Sequence, residues 1–301
     1  MNNTTLLYII KRLFLLIILL ISLSTNGAVV GIISSYDVKP YQQTIDSFKA
    51  SVKQAHPDVE FFQFDPERNK SNLNPTVIFA LGSKAVQESI NKLPDRSLLA
   101  TMILDKKEVS KHSNNTTVIL MVSQEEQLKW HRRILPKAKK IGILYDPQLN
   151  QEWVDIAKVT AAKLDLEIID IPIHSARDIP PALKSLSHKV DSILGIADTT
   201  VYSGATAKAV LLFSFRNRIP FVGLSNTWVK SGALYALDWD YSELGKQCAD
   251  TALKILDGTD ANKIEPQLAN KTIYIINKKT ADHMKIEIDD KIISGASRIY
   301  K

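Results

Sequence analysis

The chain has 301 residues, of which 45% are hydrophobic and 23% are charged, so a disordered or fibrous protein is excluded. Its 38 Lys and Arg against 32 Asp and Glu give a formal net charge of +6, and because these basic residues form no long run, nucleic acid is excluded as the main partner. Cys248 is the only cysteine, which excludes an intrachain disulfide and a CxxC metal or redox motif.

The first 28 residues are typical of a secretory signal peptide. Lys11 and Arg12 precede the apolar run 13–23, which ends in small or polar residues. A run of about eleven residues is too short to cross a bilayer core of roughly 30 Å as a helix. We therefore predict cleavage after Gly27 or Ala28 and a periplasmic location, with an uncleaved membrane anchor as the alternative.

From Val29 onward, apolar runs of strand length alternate with amphipathic helical segments. Strands that are apolar on both faces and separated by helices indicate βαβ units with parallel sheets. The first series of predicted strands is Val29–Ser34, Val59–Phe64, Thr76–Gly82, Leu98–Leu104 and Thr116–Val122. The second is Ile141–Tyr145, Leu166–Pro172, Ser192–Ala197, Ile219–Leu224 and Gly232–Leu237. The predicted helices are Tyr41–Gln54, Lys84–Lys92, Glu152–Leu164, Ile179–Leu186, Ala205–Arg216 and Tyr241–Leu256.

Two such series predict an α/β protein with two Rossmann-like lobes, each with a parallel sheet. No low-complexity linker separates the series, which favours chain crossings between the lobes. A ligand cleft between the lobes is then expected at the carboxyl ends of the parallel strands.

Motifs for catalysis, nucleotide binding and metal binding are absent from the sequence. It contains no GxGxxG, no GxxxxGK[ST] and no HExxH. The segment Gly223–Thr227 resembles a nucleophile elbow but carries Thr227 where that turn needs glycine. Cys248 lies at helical spacing from apolar residues and is interpreted as a buried structural thiol. We predict no enzyme, no cofactor and no metal; an exported α/β enzyme that uses Asp146 or Asp240 as acid or base is the alternative.

Polar residues directly after predicted strands are the candidate ligand groups. Ser83 follows one strand of the first series, where a helix N-terminus is able to hold an anion. Asp198 and Thr199 follow one strand of the second series, and Ser225 follows another. Each of these residues is either a ligand contact or a helix cap. Asp240 either neutralises a ligand ammonium group or starts the helix Tyr241–Leu256.

Several ordered segments resemble one family of exported binding proteins. They are Phe79–Ala85, Leu135–Ala138, Lys140–Pro147, Asp198–Val201, Ser231–Leu234, Asp240–Gly245 and Lys254–Gly258. Together they are similar to the periplasmic substrate-binding proteins of ABC importers with a type I bilobal fold, the family that includes tryptophan and tyrosine binders. The resemblance extends from about Val30 to Gly258.

The resemblance implies a protein that captures a small, amino-acid-like molecule in the cleft between its lobes for a membrane permease. It implies lobe 1 at 29–122 with 241–270, lobe 2 at 123–240 with 271–301, and a hinge that closes the lobes on the solute. We expect a monomer. The alternative is a ligand-binding subunit of a membrane sensor or receptor kinase.

The ligand contacts implied by the resemblance are Ser83, Tyr145, Asp198, Thr199 and Asp240. Asp146 and Thr199 stand where the family often has Asn, and the segment Leu237–Trp239 also departs from the family, so the ligand is not inherited with the fold. Trp228 and Trp239 are either an aromatic wall for a flat ligand or part of the packing.

Overall fold

A computed structural model describes residues 28–63, 74–104 and 106–301. The predicted signal peptide falls almost entirely on residues 1–27 and so lies outside the described residues. Within them, no helix combines the length and apolar character needed to cross a membrane.

The chain alternates strands and helices from Val29 to its last residues. The strands are β1 (Val29–Ser34), β2 (Glu60–Gln63), β3 (Val77–Leu81), β4 (Ser97–Thr101), β5 (Asn115–Ile119), β6 (Lys140–Tyr145), β7 (Glu167–Pro172), β8 (Ser192–Leu194), β9 (Phe221–Gly223), β10 (Tyr235–Trp239), β11 (Gln267–Leu268), β12 (Thr272–Asn277) and β13 (Arg298–Tyr300). The helices are α1 (Lys39–Ala55), α2 (Ser83–Lys92), α3 (Gln124–Ile134), α4 (Pro147–Lys163), α5 (Ile179–Leu186), α6 (Ala207–Asn217), α7 (Asn226–Lys230), α8 (Tyr241–Leu256), α9 (Lys278–Met284) and α10 (Asp290–Gly295).

The chain divides into two compact units, each made from two separate segments. Unit 1 comprises the described residues up to Ile119 together with Tyr241–Gln267, and unit 2 comprises Leu120–Asp240 with Leu268–Lys301. The divisions at 119/120, 240/241 and 267/268 compare with 122/123, 240/241 and 270/271 expected for the lobes.

Unit 1 is built on a sheet with the strand order β11-β5-β4-β3-β1-β2. The neighbouring pairs from β5 to β2 are parallel. Ile78 and Ala80 face one apolar cluster together with Val86 of α2. Phe79 stacks on Phe48 of α1, with ring centroids 4.0 Å apart. Strand β3, inside the sheet, is thus buried on both faces, as its apolar run predicts.

Unit 2 is built on a sheet with the order β13-β12-β10-β9-β8-β6-β7. Its strands from β7 to β10 pair in parallel, whereas β12 is antiparallel to β10. Ile143 faces a cluster covered by α3 and α4, and Leu144 faces the opposite cluster, covered by α5, α6 and α7. Helices therefore cover both faces of this sheet as well.

Several sequence predictions of elements were wrong. The predicted strands Thr116–Val122 and Ser192–Ala197 end three residues early, at Ile119 and Leu194, and β12, β13, α9 and α10 were not predicted. The predicted strand Leu98–Leu104 ends at Thr101, because Met102 takes a left-handed backbone conformation with φ of 58°. Helix α3 was not predicted; its sequence is mostly Gln, Glu, Lys and Arg, and its buried residues are only Leu128, His131 and Ile134.

Candidate functional site

The carboxyl ends of three neighbouring strands of unit 1 lie side by side. Ser34 of β1 is in register with Leu81 of β3, and Leu81 is in register with Thr101 of β4. Parallel strands end at the same edge of a sheet, so the residues that follow these three strands share one surface. We call this surface the unit 1 edge.

Ser83 begins helix α2, as predicted, and its side chain is exposed. Ser83 does not cap this helix, because the N-cap position is Gly82. The capping oxygen belongs to Ser35, whose Oγ accepts a hydrogen bond of 2.9 Å from the N–H of Ala85. Ser35 and Ala85 are 50 residues apart, so no local signal in the sequence indicates this cap. The Ser83 hydroxyl is therefore not needed to complete the helix.

Gly82 allows two hydroxyl groups to approach the start of helix α2. Its φ of 87° lies in the region that favours glycine. A Cβ atom at this position would lie 2.7 Å from Ser35 Oγ and 2.8 Å from Tyr41 Oη. Burial, with a smaller contribution from Tyr36, raises the pKa of Tyr41. The unit 1 edge thus requires glycine at position 82.

The carboxyl ends of strands in unit 2 form a second edge. Ile141 of β6 is in register with Ser192 of β8, and Ile193 of β8 is in register with Phe221 of β9. Continuing this register brings Asp146, Ala197 and Ser225 to the same level. We call this surface the unit 2 edge.

Asp198 organises the unit 2 edge. It is buried, and its Oδ2 accepts hydrogen bonds from Asp146 N at 2.7 Å and from Asn150 Nδ2 at 2.9 Å. Its Oδ1 accepts from Thr200 N at 3.0 Å and Val201 N at 2.9 Å. A carboxylate has about four acceptor positions, so this carboxylate is already saturated by protein donors. Its geometry suits the joining of two loops better than contact with a ligand ammonium group.

Asp146 takes part in the same network. Its Oδ1 accepts from Gln148 N at 2.9 Å and caps helix α4, while its Oδ2 accepts from the Thr200 hydroxyl at 2.8 Å. Both oxygens therefore serve local structure, which speaks against the alternative of Asp146 as a catalytic acid or base.

Thr199 and Ser225 present polar side chains at the unit 2 edge. Thr199 is exposed in the turn that Asp198 holds, and Ser225 is half-buried at the N-cap position of helix α7. The Ser225 hydroxyl makes no capping hydrogen bond to this helix. The next residue, Asn226, is oriented by the Tyr300 hydroxyl, which donates to Asn226 Oδ1 at 2.7 Å.

Tyr145 is buried at the end of β6, and its hydroxyl donates to protein acceptors. These are Gln151 Oε1 at 3.1 Å and Asp170 Oδ2 at 3.3 Å. Burial, followed by the nearby Asp170 carboxylate, raises the pKa of Tyr145. Its role as a ligand contact stays a prediction, and the hydroxyl described here joins helix α4 to strand β7.

Asp240 forms an ion pair with Lys271. Its Oδ2 lies 2.8 Å from Lys271 Nζ, and its backbone N–H donates to the Lys271 carbonyl at 3.2 Å. The ammonium group of Lys271 already supplies the positive charge that a ligand was expected to bring. Helix α8 nevertheless begins at Tyr241, directly after Asp240, as predicted.

Of the two candidate tryptophans, Trp228 belongs to the packing of unit 2. Its ring lies 5.4 Å from that of Phe221 and 6.0 Å from that of Tyr202. Trp239 is half-buried at the end of β10, and its Nε1 is buried without a hydrogen-bond partner.

Cys248 is fully buried on helix α8, as predicted for a structural thiol. Burial raises the pKa of Cys248 to about 12. Since the thiolate is the nucleophilic form, this cysteine is unreactive near neutral pH.

Known proteins resemble this chain over most of its length. Residues 74–299 match the family model described as ABC transporter substrate binding protein. A tyrosine-binding protein of Clostridioides difficile (strain R20291) is 25% identical over 279 residues, which cover 89% of this chain and 80% of that protein.

Two solved structures share the fold. A ligand-free, open substrate-binding protein with adhesive properties from Clostridium difficile superposes with a TM-score of 0.74 at 21% identity, covering 91% of this chain and 99% of that one. An ABC domain in complex with L-Trp from Streptococcus pneumonia superposes with a TM-score of 0.63 at 17% identity, covering 91% and 100% of the two chains.

Proposed function

The chain belongs to the family of ABC transporter substrate-binding proteins, and from this premise we propose that it captures an amino acid outside the cytoplasm and delivers it to a membrane permease. The predicted fold class is confirmed, because the relatives have the type I periplasmic binding fold. The observation that carries the proposal is the family match over residues 74–299.

The proposed ligand is an amino acid because the related C. difficile protein is named for tyrosine binding. The two edges supply suitable groups. On unit 1, the exposed Ser83 hydroxyl stands at the start of a ten-residue helix, where a carboxylate is favoured. On unit 2, Thr199 and Ser225 supply hydroxyl groups that do not cap a helix. Capture of the ligand makes and breaks no covalent bond.

We propose a smaller set of direct ligand contacts than the sequence suggested. Ser83, Thr199 and Ser225 are kept as direct contacts. Asp198 and Tyr145 are proposed to shape the unit 2 edge, since their side chains already bond to protein groups. Asp240 contacts a ligand only if a ligand group replaces Lys271 as the partner of its carboxylate.

We also propose that the mature protein is a periplasmic monomer that begins near Ala28. This rests on the signal-peptide pattern of the sequence.

A thermal-shift screen of the mature protein against the common amino acids tests the function. A bound amino acid at one hundred times its Kd stabilises the folded protein by about 2.7 kcal/mol, and the unfolding midpoint should rise accordingly. S83A and T199A should lower the affinity for that amino acid about tenfold, as expected when a hydrogen bond to a charged group is lost.

The matched control is T259A, which changes an exposed threonine after the end of helix α8. It should bind like the unchanged protein. If no amino acid raises the midpoint, the proposed ligand class is wrong. If S83A and T199A bind normally, the proposed contacts are wrong while the ligand class stands.

A further inference from the structure

Helix α6 of unit 2 exposes apolar and basic side chains together. Leu212 and Phe215 are 40% and 48% exposed, and Lys208 and Arg216 are exposed as well. Spacings of four, seven and eight residues from Lys208 place these side chains on one face of the helix. The opposite side of α6 packs on the sheet through the buried Val210. We call the exposed surface the α6 face.

The ring of Phe215 is held in place while half of it stays open to solvent. It stacks on His283 of helix α9, with ring centroids 3.8 Å apart and an angle of 3° between the rings. The stack covers one side of the Phe215 ring and fixes its orientation. Burying the open side of the ring against a partner therefore costs less conformational entropy than burying a freely rotating side chain.

The α6 face lies in a region of positive charge. Residues 199–237 include Lys208, Arg216, Arg218 and Lys230 but no Asp or Glu. Helix α5, which packs on α6 and covers the same side of the sheet, contributes Lys184 and again contains no acidic residue. The side chains of these five basic residues are exposed.

The acidic residue on helix α9 does not offset this charge. Asp282 of α9 is paired with Lys278 of the same helix, with 2.6 Å between Asp282 Oδ1 and Lys278 Nζ. Lys279, the next residue of α9, is exposed and adds a further positive charge.

Helix α4 of the same unit differs from α6 in its charge. Its exposed apolar residues include Ile156 and Val159. They lie among Glu152, Asp155 and Lys163, so both signs of charge are present on this helix. Exposed apolar side chains that coincide with charge of a single sign thus set α6 apart from α4.

We propose that the α6 face binds the surface of an anionic phospholipid membrane. Lys208 and Arg216 contact the headgroups, and Leu212 and Phe215 enter the boundary between the headgroups and the acyl chains. Lys and Arg beside Leu and Phe are typical of helices that lie in this boundary. Charge complementarity supports the choice of lipid, since each basic residue close to an anionic surface strengthens binding about fivefold.

This contact keeps the exported protein close to the membrane that contains the proposed permease. It is a property of unit 2 alone and does not depend on which solute the protein captures.

Co-sedimentation of the mature protein with lipid vesicles tests the proposal. One set of vesicles contains phosphatidylglycerol and phosphatidylcholine in equal amounts, and the other contains phosphatidylcholine alone. Binding to the anionic vesicles should be at least about tenfold stronger at low salt. About 0.5 M NaCl should remove most of this difference, because salt screens the attraction between the charges.

Two double variants change the α6 face. K208E/R216E should weaken binding to the anionic vesicles at least about tenfold, because two attractive charges become repulsive. L212A/F215A should weaken it about fivefold or more, because less apolar area enters the membrane. The unfolding midpoint of each variant checks that it is folded.

Two matched variants change other helices. K163E/K254E reverses two exposed lysines of α4 and α8, and I156A/V159A removes two exposed apolar side chains from α4. Both should bind the anionic vesicles within about threefold of the unchanged protein.

Equal binding of the unchanged protein to the two kinds of vesicle overturns the proposal. It is also overturned if K163E/K254E loses as much binding as K208E/R216E, since the attraction would then come from net charge and not from the α6 face. The thermal-shift response to amino acids should be the same in K208E/R216E as in the unchanged protein, so a failure of the proposed function is detected separately.

Discussion

His131 is a buried neutral imidazole within unit 2. It lies on helix α3, and its Nε2 is 2.7 Å from Ser192 Oγ, while its Nδ1 is buried without a hydrogen-bond partner. Burial lowers the pKa of His131 to about 4, against the opposing influence of Asp191. The folded protein therefore resists protonation at a pH where an exposed histidine accepts a proton.

This histidine should make the protein acid-sensitive. The pKa is about 6.5 in the unfolded chain, so as the pH falls from about 6.5 towards 4, the unfolded chain binds a proton that the folded protein excludes. The free energy of unfolding should fall by about 2 kcal/mol between pH 7 and pH 5 because of His131. Urea unfolding of the unchanged protein and of H131Q at both pH values measures this contribution.

The H131Q variant should lose most of this pH dependence of the unfolding free energy, because glutamine does not titrate. H174Q, which changes an exposed histidine of unit 2, should retain it. An equal pH dependence in H131Q and in the unchanged protein would show that other groups cause the acid sensitivity.

At the level of single residues, the sequence predicted candidate site residues but not the partners that they bond to. Asp198 and Ser83 were found because polar residues that follow strands are visible in the sequence. The partners that decide their roles were not visible, because they lie about 50 residues away in the sequence. Asp146 N donates to Asp198, and Ser35 accepts from Ala85 N in the helix that Ser83 begins.

Among elements, helices α1 and α8 make the closest approach seen at any glycine of the described chain. A Cβ atom on Gly245 would lie 2.4 Å from the Thr44 carbonyl oxygen and 2.9 Å from Phe48 N. These are backbone atoms, so they move only if one helix shifts. Because Phe48 stacks on Phe79 of the sheet, such a shift disturbs the core of unit 1.

G245A should therefore destabilise unit 1 although alanine favours helix. We expect the free energy of unfolding to fall by about 1 to 3 kcal/mol, the usual cost of overpacking, as measured by urea unfolding. D250A, at an exposed position of the same helix, is the control and should have little effect. A G245A variant as stable as the unchanged protein would mean that the two helices separate at little cost.

Elements with a strong pattern were predictable and others were not. Helices α5 and α8 have the bounds predicted from their apolar spacing. Helix α4 begins five residues before its predicted start at Glu152, because Asp146 caps it and Pro147 occupies its first position. Strand β4 ends early at Thr101, because the next residue, Met102, has a left-handed backbone conformation that methionine does not favour by itself.

For the whole molecule, each unit depends on chain segments that are distant in sequence. Helix α8, which follows β10 in the chain, packs on α1 of unit 1, whereas β12 returns to the sheet of unit 2 by pairing with β10. Alternation of strands and helices predicted two series, but it contained no information on which unit receives α8. That assignment came only from resemblance to a known family.

A hydrogen bond of Ala28 bears on where the predicted signal peptide is cleaved. The Ala28 carbonyl accepts a hydrogen bond of 3.0 Å from Glu60 N, which opens the pairing of β1 with β2. Cleavage after Gly27 keeps this acceptor, whereas cleavage after Ala28 removes it and converts Val29 N into a charged terminus. We therefore expect the mature protein to begin at Ala28.

Intact-mass analysis of the periplasmic fraction measures the first residue of the mature chain. K11E together with R12E is the matched variant, because it reverses the charge ahead of the apolar run and should retain unprocessed protein in the cell. A mature chain that begins at Val29 would show that the Ala28 carbonyl does not decide the cleavage bond. Recovery of all 301 residues in the membrane fraction would instead favour the uncleaved anchor, since the apolar run would then have remained attached to the first strand of unit 1.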